Sequence, residues 1–150
     1  MSKIFISCPE CGLEHAIREK FGEASFFVSA LGGVITSEQS TLMGSIELLI
    51  KDQGAESLSV VVSPTCRFLF GAPESGINES EIYTAFCKKR GVSTSTLSFD
   101  DKNEFLRNDL LPKTLEILAN CRIGQNRAMS NEIEIGALLY NAEYKEFDAL

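Results

Sequence analysis

At 150 residues, with 44% apolar and 23% charged side chains, the chain is large enough for one globular domain around a real hydrophobic core. A formal charge of −7, with no basic cluster denser than Lys88-Lys89-Arg90, excludes an electrostatic surface for nucleic acid or anionic membrane. No apolar run approaches the ~20 residues of a membrane span. The amino-terminal MSKIFIS lacks the long apolar stretch of a secretory signal, so the expected compartment is the cytoplasm. Five cysteines in such a chain are read as thiols or metal ligands rather than as disulfides.

In chain order, Lys3–Ser7 is a short β-type run. GLEHAIREKFG (12–22) follows, with Leu13, Ile17 and Phe21 on one helical stripe that Gly22 ends. ASFFVSAL (24–31) reads as a second strand running into Gly32-Gly33, which predicts a sharp turn or a close backbone approach. Ser40–Gln53 is helical: Leu42, Met43, Ile46, Leu49 and Ile50 share a face, and Gly54 supplies the stop. SLSVVV (57–62) is the β-branched run of a strand buried on both faces of a parallel sheet.

Asn78 and Glu81 have the spacing of a capping box for a helix reaching about Arg90. Residues 100–121 read helical, with Pro112 at the start of a second segment. EIEIGALLYNAEYKEFDAL closes the chain as a hairpin-like pair around Asn141–Tyr144. Strand, helix, strand, helix, strand with short joints is α/β organisation. No repeat, linker or compositional break divides residues 1–150, so a single domain is expected.

Ligands bind such sheets beyond the carboxyl ends of the strands. Cys8 follows the first strand there, and Cys66 follows the third in VVVSPTC. Cys11 lies three residues after Cys8, a common chelate spacing, and His15 four later on the predicted helix. Cys8, Cys11 and Cys66, with His15 or water as a fourth donor, have the residue types of a zinc site. Cys87 and Cys121 fall in helical stripes and read as core filler.

FISCPECG, FFVSALGGVI, SIELLIKDQGAESLSVVVSPTC and IEIGALLYNAEYKEFDAL, taken in order and spacing, resemble the β-class carbonic anhydrases. That family carries C-x-D-x-R after its first strand, an R-N-A-G-N-type loop, a helix, a β-branched strand ending in H-x-x-C, and a closing strand with a turn. The resemblance implies a mostly parallel sheet flanked by helices with a carboxyl-terminal antiparallel hairpin. It also implies zinc held at Cys8 and Cys66.

The departures carry as much weight. Ser63 stands where the family's histidine ligand would be, Glu10 replaces the aspartate of its gating dyad, and Gly12 replaces the arginine. Ser29-Ala30-Leu31 replaces the polar part of the R-N-A stretch. The helical arm that clasps a partner subunit has no counterpart before Lys3, although the edge of such a sheet leaves room for a homodimer. A catalytic zinc needs three protein ligands and an open position. Cys8 and Cys66 alone do not meet that requirement.

The first functional expectation is therefore a carbonic anhydrase-like protein with a degenerate zinc site. It would be a non-hydratase that binds a small molecule or anion, or plays a regulatory part. The alternative is a divergent zinc-dependent lyase or hydrolase in which Cys8, Cys11 and Cys66 are ligands and Glu10 is the nearest proton acceptor. A second alternative is thiol redox chemistry. Strand, Cys-Pro-x-Cys and helix is also how glutaredoxins look, but Pro64 is followed by Thr65-Cys66 rather than by that fold's hairpin. CPECG resembles one knuckle of a zinc ribbon, but the ribbon's second C-x-x-C is absent. No cysteine-phosphatase arginine follows Cys8 or Cys66, where Glu14 and Ala72 stand, and no phosphate- or dinucleotide-binding glycine motif is present.

Overall fold

The structure, a computed structural model, describes residues 2–33, 35, 40–70, 87–89, 91, 97–120 and 133–150. Five strands form one sheet in the order β2-β1-β3-β4-β5. They are β1 (Ser2–Ser7), β2 (Ser25–Ser29), β3 (Ala55–Val62), β4 (Glu134–Asn141) and β5 (Glu146–Ala149). The first four are parallel, and β5 turns back antiparallel on β4, pairing Tyr140 with Phe147. The mostly parallel sheet with a closing antiparallel pair is the architecture expected from the sequence.

The helices among the described residues are α1 (Glu14–Phe21), α2 (Ser40–Gln53), the short α3 (Arg67–Phe70), α4 (Phe99–Phe105) and α5 (Leu111–Asn120). The bounds of α2 match the apolar stripe and its Gly54 stop, which takes a left-handed φ of 61°. The predicted 12–22 segment is divided. Pro9–Cys11 forms a 3-10 turn that a left-handed Gly12 ends, and α1 starts only at Glu14. A glycine in that conformation costs nothing, whereas a side chain would strain the reversal.

The predicted 100–121 helix is continuous from α4 into α5, through a π-helical stretch at Leu106–Leu110. Pro112, the second residue of α5, accounts for the widening. It has no N–H to donate and its ring crowds the carbonyl four residues earlier. Ser98 opens α4: its Oγ accepts from the Asp101 N–H at 3.1 Å, while its own N–H donates to Asp101 Oδ2 at 3.2 Å. The helix expected from Asn78 lies outside the described residues except for 87–89, which are helical, and Cys121 lies outside them altogether.

Strand alternation sorts the core into two faces. Ile4, Ile6, Leu58, Val60, Val62, Ala137 and Leu139 pack with Ile46, Leu69, Phe105, Leu110, Leu111 and Leu118 from the helices of one face. Phe5 and Val61 face the other way and pack against Ile17 of α1 and Leu13 just before it. Phe21, Phe27, Tyr140 and Phe147 extend that second face as a half-buried aromatic group, with Phe5 and Phe21 centroids 5.2 Å apart. Each fully buried Ile or Leu contributes about 1.5–3 kcal/mol of transfer free energy. The β3 run of Leu58, Val60, Val61 and Val62, buried on both faces, is the expected central strand.

After β2 the chain makes a 3-10 turn at Leu31–Gly33, with left-handed glycines at Gly32 (φ 67°) and Gly33 (φ 68°). A Cβ on Gly33 would lie 2.8 Å from Val62 Cγ1. The glycine pair therefore supplies both the turn and the close approach that the sequence suggested. Gly33→Ala, which adds that Cβ at a left-handed φ, is expected to destabilise the protein by about 1–3 kcal/mol. The check is a lower urea midpoint with an unchanged denaturant slope.

Candidate metal centre

The strand order reverses direction at β1. The chain passes from β1 outward to β2, then returns to place β3 on the other side of β1. The crevice beyond the carboxyl ends of β1 and β3 is the topological switch point, where open α/β sheets bind ligands. Ser7 pairs with Val61 at that end of the ladder, so the segments leaving β1 and β3 emerge side by side.

Each segment turns at once. Cys8 is extended (φ −78°, ψ 126°) and its carbonyl accepts the Cys11 N–H at 3.1 Å, which folds Pro9–Cys11 back over the strand end. On the β3 side, the Ser63 carbonyl accepts the Cys66 N–H at 3.1 Å and the Cys66 carbonyl accepts from Phe70 N–H at 3.0 Å. Pro64 and Thr65 form the turn between them. The two reversals bring Cys8, Cys11 and Cys66 together with their sulfurs all within 4.8 Å of one another. Such a group can hold a metal ion. Cys8 and Cys66 are 3% and 1% exposed, and Cys11, at the mouth, is half-buried.

Backbone amides surround the sulfurs. Gly32 and Glu10 N–H groups donate to Cys8, and Leu69 and Phe68 N–H groups donate to Cys66. The thiols divide accordingly. The Cys66 thiol falls to about 6, because the Cys11 S–H donates to it and the Leu69 and Phe68 amides add to that effect against the cost of burial. Cys11 is pushed far up, first by its hydrogen bond to Cys66, then by burial and by the charges of Cys66 and Cys8. Burial raises Cys8, with the two amides opposing it. Among the three thiols, the surroundings favour ionisation at Cys66 and oppose it at Cys11 and Cys8.

The other predicted site residues lie apart. Glu10 and His15 are exposed, and neither belongs to the three-sulfur group. Ser63 is fully buried. Its Oγ is 2.7 Å from Thr65 Oγ1 and accepts the Thr65 N–H at 3.2 Å, so its hydroxyl is engaged in its own turn. Cys87 is buried in the main core, as expected of filler. The sequence marked the cysteines but missed the amides that hold them. The Gly32-Gly33 pair was the one visible signal, since it marks a backbone that comes close to something.

The architecture is similar along its whole length to solved β-carbonic anhydrases. The wild-type β-carbonic anhydrase CafD of Aspergillus fumigatus superposes with a TM-score of 0.77 at 10% identity, covering 100% of this chain and 89% of that one. A tetrameric β-carbonic anhydrase of Sordaria macrospora gives 0.79 at 9% identity, covering 99% and 80%. Coccomyxa β-carbonic anhydrase in complex with acetazolamide gives 0.74 at 12%, covering 99% and 71%. The fold is that of the β-carbonic anhydrases. No family model and no curated protein matches the sequence. No helix among the described residues is long and apolar enough to cross a membrane.

In the metal-free protein, thiolate ultraviolet absorption followed against pH is expected to show one thiol ionising near pH 6, absent in Cys66→Ser. Because the Cys66 pKa is lowered from 9.0 on folding, the unfolded chain holds the extra proton between those values. The Cys66 contribution therefore stabilises the fold fully above pH 9 and is lost as pH falls through 6. In Cys11→Ala the Cys66 transition moves up, since the principal donor to its thiolate is removed.

Proposed function

We propose that this chain is a carbonic anhydrase-like protein whose site is a three-thiolate zinc centre, formed by Cys8, Cys11 and Cys66, and that it is not a CO₂ hydratase. One observation carries this reading: three sulfurs, from two chain segments, lie mutually within 4.8 Å at the switch point of the sheet. Zinc sits about 2.3 Å from thiolate sulfur, which sets tetrahedral neighbours about 3.8 Å apart, inside that span. The residues therefore fit the ion that the fold family uses, with Cys11 in place of the histidine.

Bound there, zinc supplies Lewis acidity. The chain's own groups set how far that acidity is usable. Each thiolate adds negative charge to the centre, and three of them lower its acidity more than two thiolates and an imidazole do. Proton handling is also poorly provided. Glu10 is exposed and outside the group, Gly12 has no side chain to pair with it, and the Ser63 hydroxyl is taken by Thr65. These features support a role in binding a small ligand, or a regulatory one, over turnover of CO₂.

The low pKa of Cys66 beside two further thiols favours a second reading, reversible thiol redox chemistry in the absence of metal. Metal analysis of protein purified without chelator separates the two. The expected result is about one zinc per chain, lost in Cys8→Ser, Cys11→Ser and Cys66→Ser alike, with no CO₂ hydration above the buffer rate. Zinc retained in Cys11→Ser would refute the three-thiolate set. A metal-free protein that cycles a disulfide would move the assignment to redox.

Removing zinc from the loaded protein with a chelator is expected to lower its melting temperature. The ion binds only the folded arrangement, so it stabilises in proportion to the logarithm of its free concentration over Kd. The same chelator should leave the melting temperature of Cys66→Ser unchanged.

A further inference from the structure

The three cysteines leave one tetrahedral position unfilled by any carboxylate, imidazole or thiol of the described residues. Resting on the three-thiolate reading, we propose that this position takes a low-molecular-weight thiol, bound as its thiolate, rather than an oxyanion. Three features of the site bear on that choice.

The first is the donor set. A centre with three soft sulfur ligands and no nitrogen or oxygen donor favours a fourth soft ligand over a hard one. The second is the wall. Cys8 and Cys66 belong to the same packed core as Ala30, Val62, Leu69 and Cys87, all buried. The hydroxyls in the turn next to Cys66, those of Ser63 and Thr65, are bonded to each other at 2.7 Å. An oxyanion entering there finds the two nearby hydroxyls engaged with each other, and its lost hydration goes uncompensated. A thiolate is the more weakly hydrated anion and gives up less. Half-buried Cys11 is the least covered of the three thiols and marks the way in.

The third is charge. A divalent ion with three thiolates carries one net negative charge, and a fourth thiolate adds another. The N–H groups of Gly32, Glu10, Phe68 and Leu69 already point at Cys8 and Cys66 and spread that charge into the backbone. Binding is a simple ligand addition. The entering sulfur forms one bond to the metal, its proton goes to solvent, any water at that position leaves, and no electrons change hands.

The test replaces zinc by cobalt(II) in the full chain and uses 2-mercaptoethanol as probe, with bicarbonate as the oxyanion. The thiol is expected to raise the sulfur-to-cobalt charge-transfer absorption by about one third, four thiolates replacing three. The change should saturate with the cobalt content per chain unaltered, and its apparent affinity should rise about tenfold per pH unit below the thiol's own pKa. Bicarbonate should leave the spectrum as it was. A spectrum that responds to bicarbonate and not to the thiol overturns the proposal, as does a thiol that only strips the metal. A cobalt spectrum that lacks thiolate charge transfer, or that is the same in Cys11→Ser, instead overturns the three-thiolate reading on which the proposal rests.

Discussion

The parallel pairing of β1 with β3 is the constraint on which the rest of this molecule depends. Parallel strands that are neighbours in the sheet end at the same edge, so whatever follows them is delivered to one place. Cys8 and Cys66 are far apart in the chain, yet the Ser7–Val61 register puts both at that edge. The pairing needs a long crossover through β2 and α2, and the hydrophobic faces of β3 stabilise it. Val60 and Val62 point to one layer of helices and Val61 to the other. Gly33 lets the turn after β2 close down on Val62, and its neighbour Gly32 presents an amide to Cys8. Packing and site geometry are here one arrangement.

The three buried thiols are surrounded by groups that favour ionisation at one of them, Cys66. An isolated thiolate in this core would be costly to desolvate. Two backbone amides and the Cys11 S–H offset that cost at Cys66, and the same ionisation forces Cys11 to keep its proton. The metal-free group is therefore a hydrogen-bonded unit in which the three thiols titrate together. Metal binding would replace those protons with one ion shared by three sulfurs, which couples occupancy to pH and to fold stability.

This chain shares a fold with proteins whose sequences it barely resembles. Structures at 9–12% identity share its architecture along nearly its whole length. Two sulfurs of its cysteine group come from the segment after β1, Cys8 and Cys11, and one, Cys66, from the segment after β3. The turns at the two strand ends produce that grouping. A Pro9–Cys11 turn carries Cys11 back over the strand end, while the hydroxyl of Ser63 turns into its own loop. A scaffold of this kind fixes where a ligand binds, and short turns at the strand ends decide which atoms meet it.

Much of this was legible beforehand, for identifiable reasons. The β-branched run at 57–62, the stripe and stop of α2, and the alternation of the closing hairpin are local patterns with a period, and periodicity survives in a single sequence. The Cys-x-x-Cys spacing and the paired glycines were equally visible as residue types. Other features were local as well but carry no period. The split of the 12–22 segment followed from Pro9 and Gly12 forming a turn before the helix, and the π-helical stretch from Pro112 set inside a continuous helix rather than at a break. By itself, then, the sequence determined the class of fold, the order of its elements and the presence of cysteines at two strand ends. Only the tertiary structure decided that Cys11 joins Cys8 and Cys66 while His15 and Glu10 face outward, and which amides hold the sulfurs. Those outcomes depend on ångström-scale distances between segments, and spacing along one chain does not encode them.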